Sequence, residues 1–265
     1  MSDTRQHSEL AQRYTDVCER IVAAATRTDR DPESIHLIAV TKYASLAQVR
    51  ELLELGHVDF GESRMQHLLQ ISAQLQEYLD RRRELGHVDG KPESVRWHFI
   101  GHLQRNKVRR VLPLCRLVHS VDSLRLAEEV QACGREDLPP SDVLVQVNIS
   151  GEKDKYGVAP AAAAHLVDQM LTMPDLRVRG LMFMAPIFED QELARPVFER
   201  ARELFDDVKT SCTPERFDIL SMGMSQDFEV AVECGANVIR VGSAIFGSPT
   251  REQVEAEAAG TSEPA

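Results

Sequence analysis

No apolar run in this 265-residue sequence approaches the length of a membrane span, which argues against a transmembrane helix. The N-terminal stretch MSDTRQHSELAQRYTD is polar and lacks the apolar core of a secretory signal. Cysteine is sparse: Cys18, Cys115, Cys133, Cys212 and Cys234 are odd in number, scattered, and never in C-x-x-C spacing. That argues against structural zinc and a disulfide framework, and a reducing cytoplasm is the expected location. Basic residues are in deficit, with 31 Lys and Arg against 42 Asp and Glu for a net charge of −11. Phosphate backbones and anionic membranes repel such a field, so neither nucleic acid nor a membrane surface is expected as the main partner. A local basic pocket for a small phosphate stays compatible with it. Neither G-x-G-x-x-G nor G-x-x-x-x-G-K-[ST] occurs, and there is no internal repeat of fixed period.

What is present is alternation. Apolar runs of strand length end near Val40, Phe60, His102, Val121, Asn148, Met184, Met222 and Arg240. Helical patterns separate them at 46–55, 64–83, 104–112, 123–133, 160–171, 189–209 and 226–234. A further helix over 6–27, with Leu10, Tyr14, Val17 and Ile21 on one face, precedes the first strand. Eight strands alternating with helices in ~250 residues predict an α/β fold, a single (β/α)8 TIM barrel. A doubly wound open sheet uses the same alternation, but the glycine-rich first turn that marks it is missing. The barrel is expected to span residues 1–250 as one domain, with the polar, acidic tail 251–265 disordered.

In a barrel of this kind chemistry gathers at the carboxyl ends of the strands. The first strand runs straight into Lys42, which parity places on the same side as Ile38 and Val40. A charged amine ending a buried apolar strand is costly, which favours a neutral, nucleophilic lysine able to condense with a carbonyl. The bland alternative is a lysine reaching out of the barrel mouth into water. The last two strands add an anion site. Ser221, Gly223, Arg240 and Gly242 have inward parity, and Ser225 is placed to cap the helix that follows. A lysine amine, a phosphate cradle and an arginine at one mouth point to an aldehyde that carries a phosphate. Pyridoxal 5′-phosphate (PLP) fits, and so does a sugar phosphate in a lysine-type aldolase.

These residues also carry a family resemblance. AVTK at 39–42, FGES at 60–63, WHFIGHLQRNK at 97–107, QVNISGEKDKYGV at 146–158, LSMGMSQDFEVAV at 220–232 and RVGSAIFG at 240–247 resemble the pyridoxal phosphate homeostasis proteins (YggS/PROSC-like), collinearly over nearly the whole chain. The resemblance implies a PLP fold type III barrel like the N-terminal domain of alanine racemase, without the second β domain. It implies PLP held on Lys42 as an internal aldimine, Arg240 facing the pyridine nitrogen, and Gly242 and Ser243 amides at the phosphate with Ser221 or Ser225. Parity favours Ser221 there, whereas capping and spacing to Gly242 favour Ser225. It implies a role in vitamin B6 balance without an established catalytic activity, PLP-dependent apo-enzymes as recipients, and a monomer or weak dimer. The chain departs from the family pattern at Ser63, where asparagine is usual, and at His67, where glutamate is common. A polar insert, LGHVDGKPESVR, precedes Trp97.

The remaining polar residues read more weakly. His98, His102 and His119 invite a metal, yet His98 and His102 fall four apart on a strand, too far for an easy common ion, so hydrogen-bonded structural roles are expected. Gln146 and Asn148 share inward parity, which makes Asn148 a candidate for the mouth or for a core polar network. Lys153 and Lys155 fall on the functional end, as a solvated loop or with Lys155 as a transient acceptor for cofactor leaving Lys42. A racemase needs two acid/base groups on opposite faces of a bound amino acid. Lys42 supplies one; Tyr43 and Tyr156 are the nearest others, and the second domain that completes alanine racemase has no residues here. Reversible binding needs only the amine and an open mouth, so a cofactor carrier is the expected function.

Overall fold

The structure, a computed structural model, describes residues 8–86, 90–134, 139–152 and 155–250. The reading of the tail 251–265 and that of Lys153 fall outside them. The strands β1 (His36–Val40), β2 (Asp59–Glu62), β3 (Arg96–Phe99), β4 (Cys115–Val121), β5 (Ser141–Val147), β6 (Leu176–Phe183), β7 (Ile219–Ser221) and β8 (Val238–Val241) pair in parallel in chain order and close into a barrel. At the seam Ile38 lies beside Arg240 and Ala39 beside Val241. No helix among the described residues is long and apolar enough to cross a membrane.

Alternation along the strands divides the apolar residues into two layers. Inward residues Leu117, Leu144 and Met182 make a small core inside the barrel, with Met184 and Ile219 against it. Outward residues such as Phe60, Phe99 and Phe183 join the helices in a larger surrounding core. Local signals set where those helices start. The hydroxyl of Ser45 accepts from the Gln48 amide, and the Gln48 side chain answers, which starts α2 (Leu46–Glu54). The first helix, α1 (Glu9–Arg27), begins on Ser8 and buries Leu10, Val17 and Ile21. It lies against α8 (Phe228–Glu233) and α9 (Ser243–Phe246). Arg20 pairs with Glu229 at 2.8 Å, Arg27 with Glu233 at 2.6 Å, and Arg13 Nε donates to the Ile245 carbonyl at 2.8 Å.

Three boundaries differ from the sequence reading, each for a local reason. β3 stops at Phe99, not His102, because Gly101 packs onto the Ser63 backbone, where a Cβ would sit 2.1 Å from the Ser63 carbonyl oxygen. The helix expected over 189–209 begins at Arg195, with Pro196 in its first turn. The stretch 104–112 is broken into short turns around the single helical turn Val108–Val111, and Pro113 follows.

Among the buried imidazoles of this framework are His57 and His119. His57 is 8% exposed and His119 fully buried. Burial pushes both below the ordinary histidine range, further for His119, where His98 and Arg240 add to it. The unfolded chain therefore binds more protons than the folded one below about pH 6.5, and stability falls as pH drops through that value. Thermal melts are expected to show a lower midpoint at about pH 5 than at about pH 7.5. Equal midpoints would show that the rings take up protons without penalty.

Candidate functional site

A cavity of about 360 Å³ opens at the carboxyl ends of the strands, lined by Lys42, Tyr43, Ser225, Asp227, Arg240, Gly242 and Ser243. Its walls are completed by apolar side chains, among them Ile100, Met184, Phe188 and Phe246. Lys42 lies two residues past the end of β1 and is half-buried, with its Nζ 5.0 Å from the centroid of the Tyr43 ring. Among the described residues it is the sole lysine lining the cavity. An amine, an arginine and an apolar wall suit a flat, anionic carbonyl compound of single-ring size.

Arg240 is 5% exposed and held from behind. Its Nη2 donates to the Phe183 carbonyl at 2.9 Å and its Nη1 to the Ser221 hydroxyl. These bonds fix the plane of the guanidinium. Burial pulls the group down to about 10, opposed by the charge of Asp227, so it remains a cation at neutral pH. Asp227 is itself pushed up by burial, against the pull of the Met224 amide and of Arg240. Its Oδ1 accepts from that amide at 2.6 Å.

Beside it the backbone forms a small donor cradle. The Gly242 and Ala244 amides converge on the Ser225 hydroxyl at 3.1 Å and 3.3 Å. Ser225 is thus turned toward β8 and does not cap α8: the residue before that helix is Asp227, because the 224–227 turn intervenes. Both amides are taken up by the Ser225 oxygen, which leaves the Ser225 O–H to donate to an anion at this edge of the cavity, with the two amides behind it supporting negative charge.

Ser221, Gly223 and Asn148 do not line the cavity. Ser221 has the inward parity expected but lies one layer beneath Arg240, fully buried and bonded to His119 Nδ1 at 3.0 Å. Gly223, at φ +95°, lets the turn close on α8, since a Cβ would come within 2.6 Å of the Ala231 Cβ. Asn148 falls just past β5 and organises the loop after it, donating to the Glu152 carbonyl at 2.8 Å and the Lys155 carbonyl at 3.1 Å. Lys155 itself pairs with Glu152 and reaches the Ala185 carbonyl at 3.4 Å, next to the rim but outside the cavity.

His98 and His102 separate completely. His98 bonds His119 and Asp59 inside the barrel, whereas His102 leaves the strand and stacks on Tyr156 with ring centroids 3.8 Å apart. Tyr43 lines the cavity while Tyr156, 56% exposed, does not. The sequence reading missed Asp227 and the fully buried Glu62, whose Oε1 binds the Thr41 hydroxyl and His67 Nδ1. A buried carboxylate beside Thr41-Lys42 needs partners, and His67 supplies one. The Ser63 hydroxyl is buried without a hydrogen-bond partner among the described residues and stands off the cavity.

Comparison with other proteins agrees with this fold. Residues 22–249 match the family described as alanine racemase, N-terminal domain. The pyridoxal phosphate homeostasis protein of Escherichia coli is 38% identical over 248 residues, covering 91% of this chain and 97% of that one. Its counterpart in Pseudomonas aeruginosa is 37% identical over 241 residues, covering 91% and 96%. PipY of Synechococcus elongatus, solved with PLP bound, is 31% identical with a TM-score of 0.69, covering 87% of this chain and 100% of that chain. Similarity of this extent, on a closed eight-stranded barrel, means that the chain belongs to the pyridoxal phosphate homeostasis protein family, built on the fold of the alanine racemase N-terminal domain.

Proposed function

We propose that this protein binds PLP at the barrel mouth, holds it as a Schiff base on Lys42, and buffers or delivers it in intracellular vitamin B6 homeostasis. The observation that carries this is the convergence of Lys42, Arg240, Ser225 and Gly242 on one cavity. The relatives named for PLP homeostasis, and PipY with its bound PLP, support the same reading. When bound, the cofactor supplies an aldehyde for condensation with an amine. The chain's own residues do the rest. Lys42 supplies that amine; Ser225 and the Gly242–Ala244 turn hold the phosphate; Arg240, locked by Ser221 and Phe183, faces the ring nitrogen as a cation. A cationic donor there leaves the ring nitrogen unprotonated and the ring a weaker electron sink, which suits storage better than turnover. Ser221, Gly223 and Asn148 act by shaping the turn and loops around the cavity.

The test is the visible spectrum of the purified protein with PLP, before and after borohydride, with peptide mapping of the adduct. A yellow protein whose reduced adduct maps to Lys42 supports the proposal. A protein that stays colourless with added PLP moves the reading to a sugar phosphate. Ser225→Ala removes the hydroxyl that collects two amides, and a lost hydrogen bond is worth about 1 kcal/mol. PLP affinity is expected to fall roughly five- to tenfold, while affinity for pyridoxal, which lacks the phosphate, stays unchanged. Parallel titrations of the two compounds check this.

A further inference from the structure

A chain of buried polar groups crosses the inside of the barrel, from the amino-terminal rim to the arginine at the mouth. Asp59 opens β2 and holds Arg96 through both carboxylate oxygens, Oδ1 to Nε at 2.7 Å and Oδ2 to Nη2 at 2.5 Å. Its Oδ1 also meets His98 Nε2 at 3.1 Å. His98 Nδ1 lies 3.1 Å from His119 Nε2, and His119 Nδ1 lies 3.0 Å from the Ser221 hydroxyl. That hydroxyl accepts from Arg240. His98, His119, Ser221 and Arg240 are all buried.

The two ends fix the direction of every bond between them. A guanidinium only donates and a carboxylate only accepts. Arg240 donates to Ser221, so the Ser221 proton must go elsewhere, and His119 Nδ1 is the acceptor it meets. His119 then carries its proton on Nε2 and donates to His98 Nδ1; His98 in turn donates from Nε2 to Asp59. The reverse order, with a doubly protonated His98, leaves the Ser221 proton without an acceptor among the described residues. Such a loss is expensive for a fully buried hydroxyl. The direction of the shifts agrees: burial, with His98 and Arg240, keeps His119 neutral. Burial alone would raise Asp59, but the bonds from His98 and Arg96 outweigh it and hold the carboxyl well below its usual range.

We propose that Asp59 is a positioning residue for Arg240: from the opposite rim of the barrel it sets the tautomers of His98 and His119, and through Ser221 the orientation in which the guanidinium is presented to the cofactor ring. The part that concerns the cofactor rests on the PLP reading above; the tautomer part does not. Like the orienting carboxylates of histidine dyads elsewhere, Asp59 acts by accepting a proton-bearing nitrogen at the far end.

The test uses full-length protein with ¹⁵N-labelled histidine rings, read by long-range proton–nitrogen spectra at neutral pH. The expected result is that His98 and His119 are both neutral with the proton on Nε2. Asp59→Ala is expected to move the His119 signals and to weaken PLP binding roughly fivefold, whereas Asp59→Asn, which keeps an acceptor oxygen, restores both. Arg96→Ala breaks the same ion pair at the rim and serves as the control for a merely structural role; it is expected to leave the His119 signals in place. Either ring found with its proton on Nδ1, or doubly protonated, overturns the proposal. So does an Asp59→Ala protein with unmoved His119 signals, or an Arg96→Ala protein that shifts them equally. If Asp59→Ala does not fold, the wild-type spectrum and Asp59→Asn still decide. A wild-type protein that takes up no PLP overturns the cofactor reading, and is recognised by its missing visible band and not by the histidine signals.

Discussion

Lys42→Ala is expected to abolish the visible band that PLP gives with the protein, and to leave borohydride nothing to fix. Among the described residues no other lysine lines the cavity, so no neighbouring amine stands in for the lost one. Lys155 is tied to Glu152 and to the Ala185 carbonyl outside it. Arg240 and the Ser225 cradle survive the substitution, because their bonds among the described residues run to Ser221 and Phe183 and to the Gly242 and Ala244 amides. The variant should therefore still bind PLP weakly, with the absorption of the free aldehyde and without the shifted aldimine band. Lys42→Arg makes the sharper control: it keeps the positive charge but offers no amine for condensation. Absorption spectra of the two variants beside the wild type check this. A band of wild-type height in either variant would place the covalent link elsewhere.

Gly180→Ala is expected to cost about 3 kcal/mol or more and to lower the melting midpoint by roughly 10 °C, if the protein accumulates at all. Gly180 lies in β6 at φ +152°, opposite Ile219 of β7. A Cβ there would stand 1.8 Å from the Ile219 carbonyl oxygen, a collision with backbone that no rotamer change relieves. The damage should reach the mouth, because the same ladder sets Met182 beside Ser221, and Phe183 follows with the carbonyl that holds Arg240. Gly56→Ala separates strain from collision. Gly56 has φ +97° but open space where a Cβ would go, so only the conformational cost of about 1 kcal/mol is expected. Thermal melts of the two variants check this, and equal midpoints would refute the collision.

The eight-fold alternation was legible in the sequence because each strand carries its own apolar run and each helix its own amphipathic face. Lys42 and Arg240 were legible for the same reason: both sit at strand ends, where parity alone says which way a side chain points. Depth was not. Parity turns Ser221 inward but does not say that Arg240 lies above it, since that depends on the stagger between β7 and β8. Asn148 has inward parity only if the strand continues, and it stops at Val147, where the chain turns back to pair with Val158. His98 was weighed against His102, its neighbour in sequence, whereas its partners His119 and Asp59 come from the strands on either side. Register between strands brings them together, and no single segment records it. The capping role expected of Ser225 failed on a smaller scale, because its hydroxyl found two amides of the next strand's turn before it found its own helix.

The seam between β1 and β8 has a consequence for how the protein comes into being. One edge of the first strand waits for the last: β1 has β2 as an early neighbour, but the edge His36–Ala39 presents to β8 is filled only when Val238–Val241 has been made. Helix α1 waits likewise for α8 and α9. During synthesis a ribosome-bound chain ending before residue 238 has Lys42 but neither Arg240 nor Gly242, so no fragment of the barrel holds the complete site. Contacts this far apart in sequence form late and slowly. Capacity for the ligand thus appears in one step, at ring closure, and uptake by a nascent chain reports that translation and folding have both been completed.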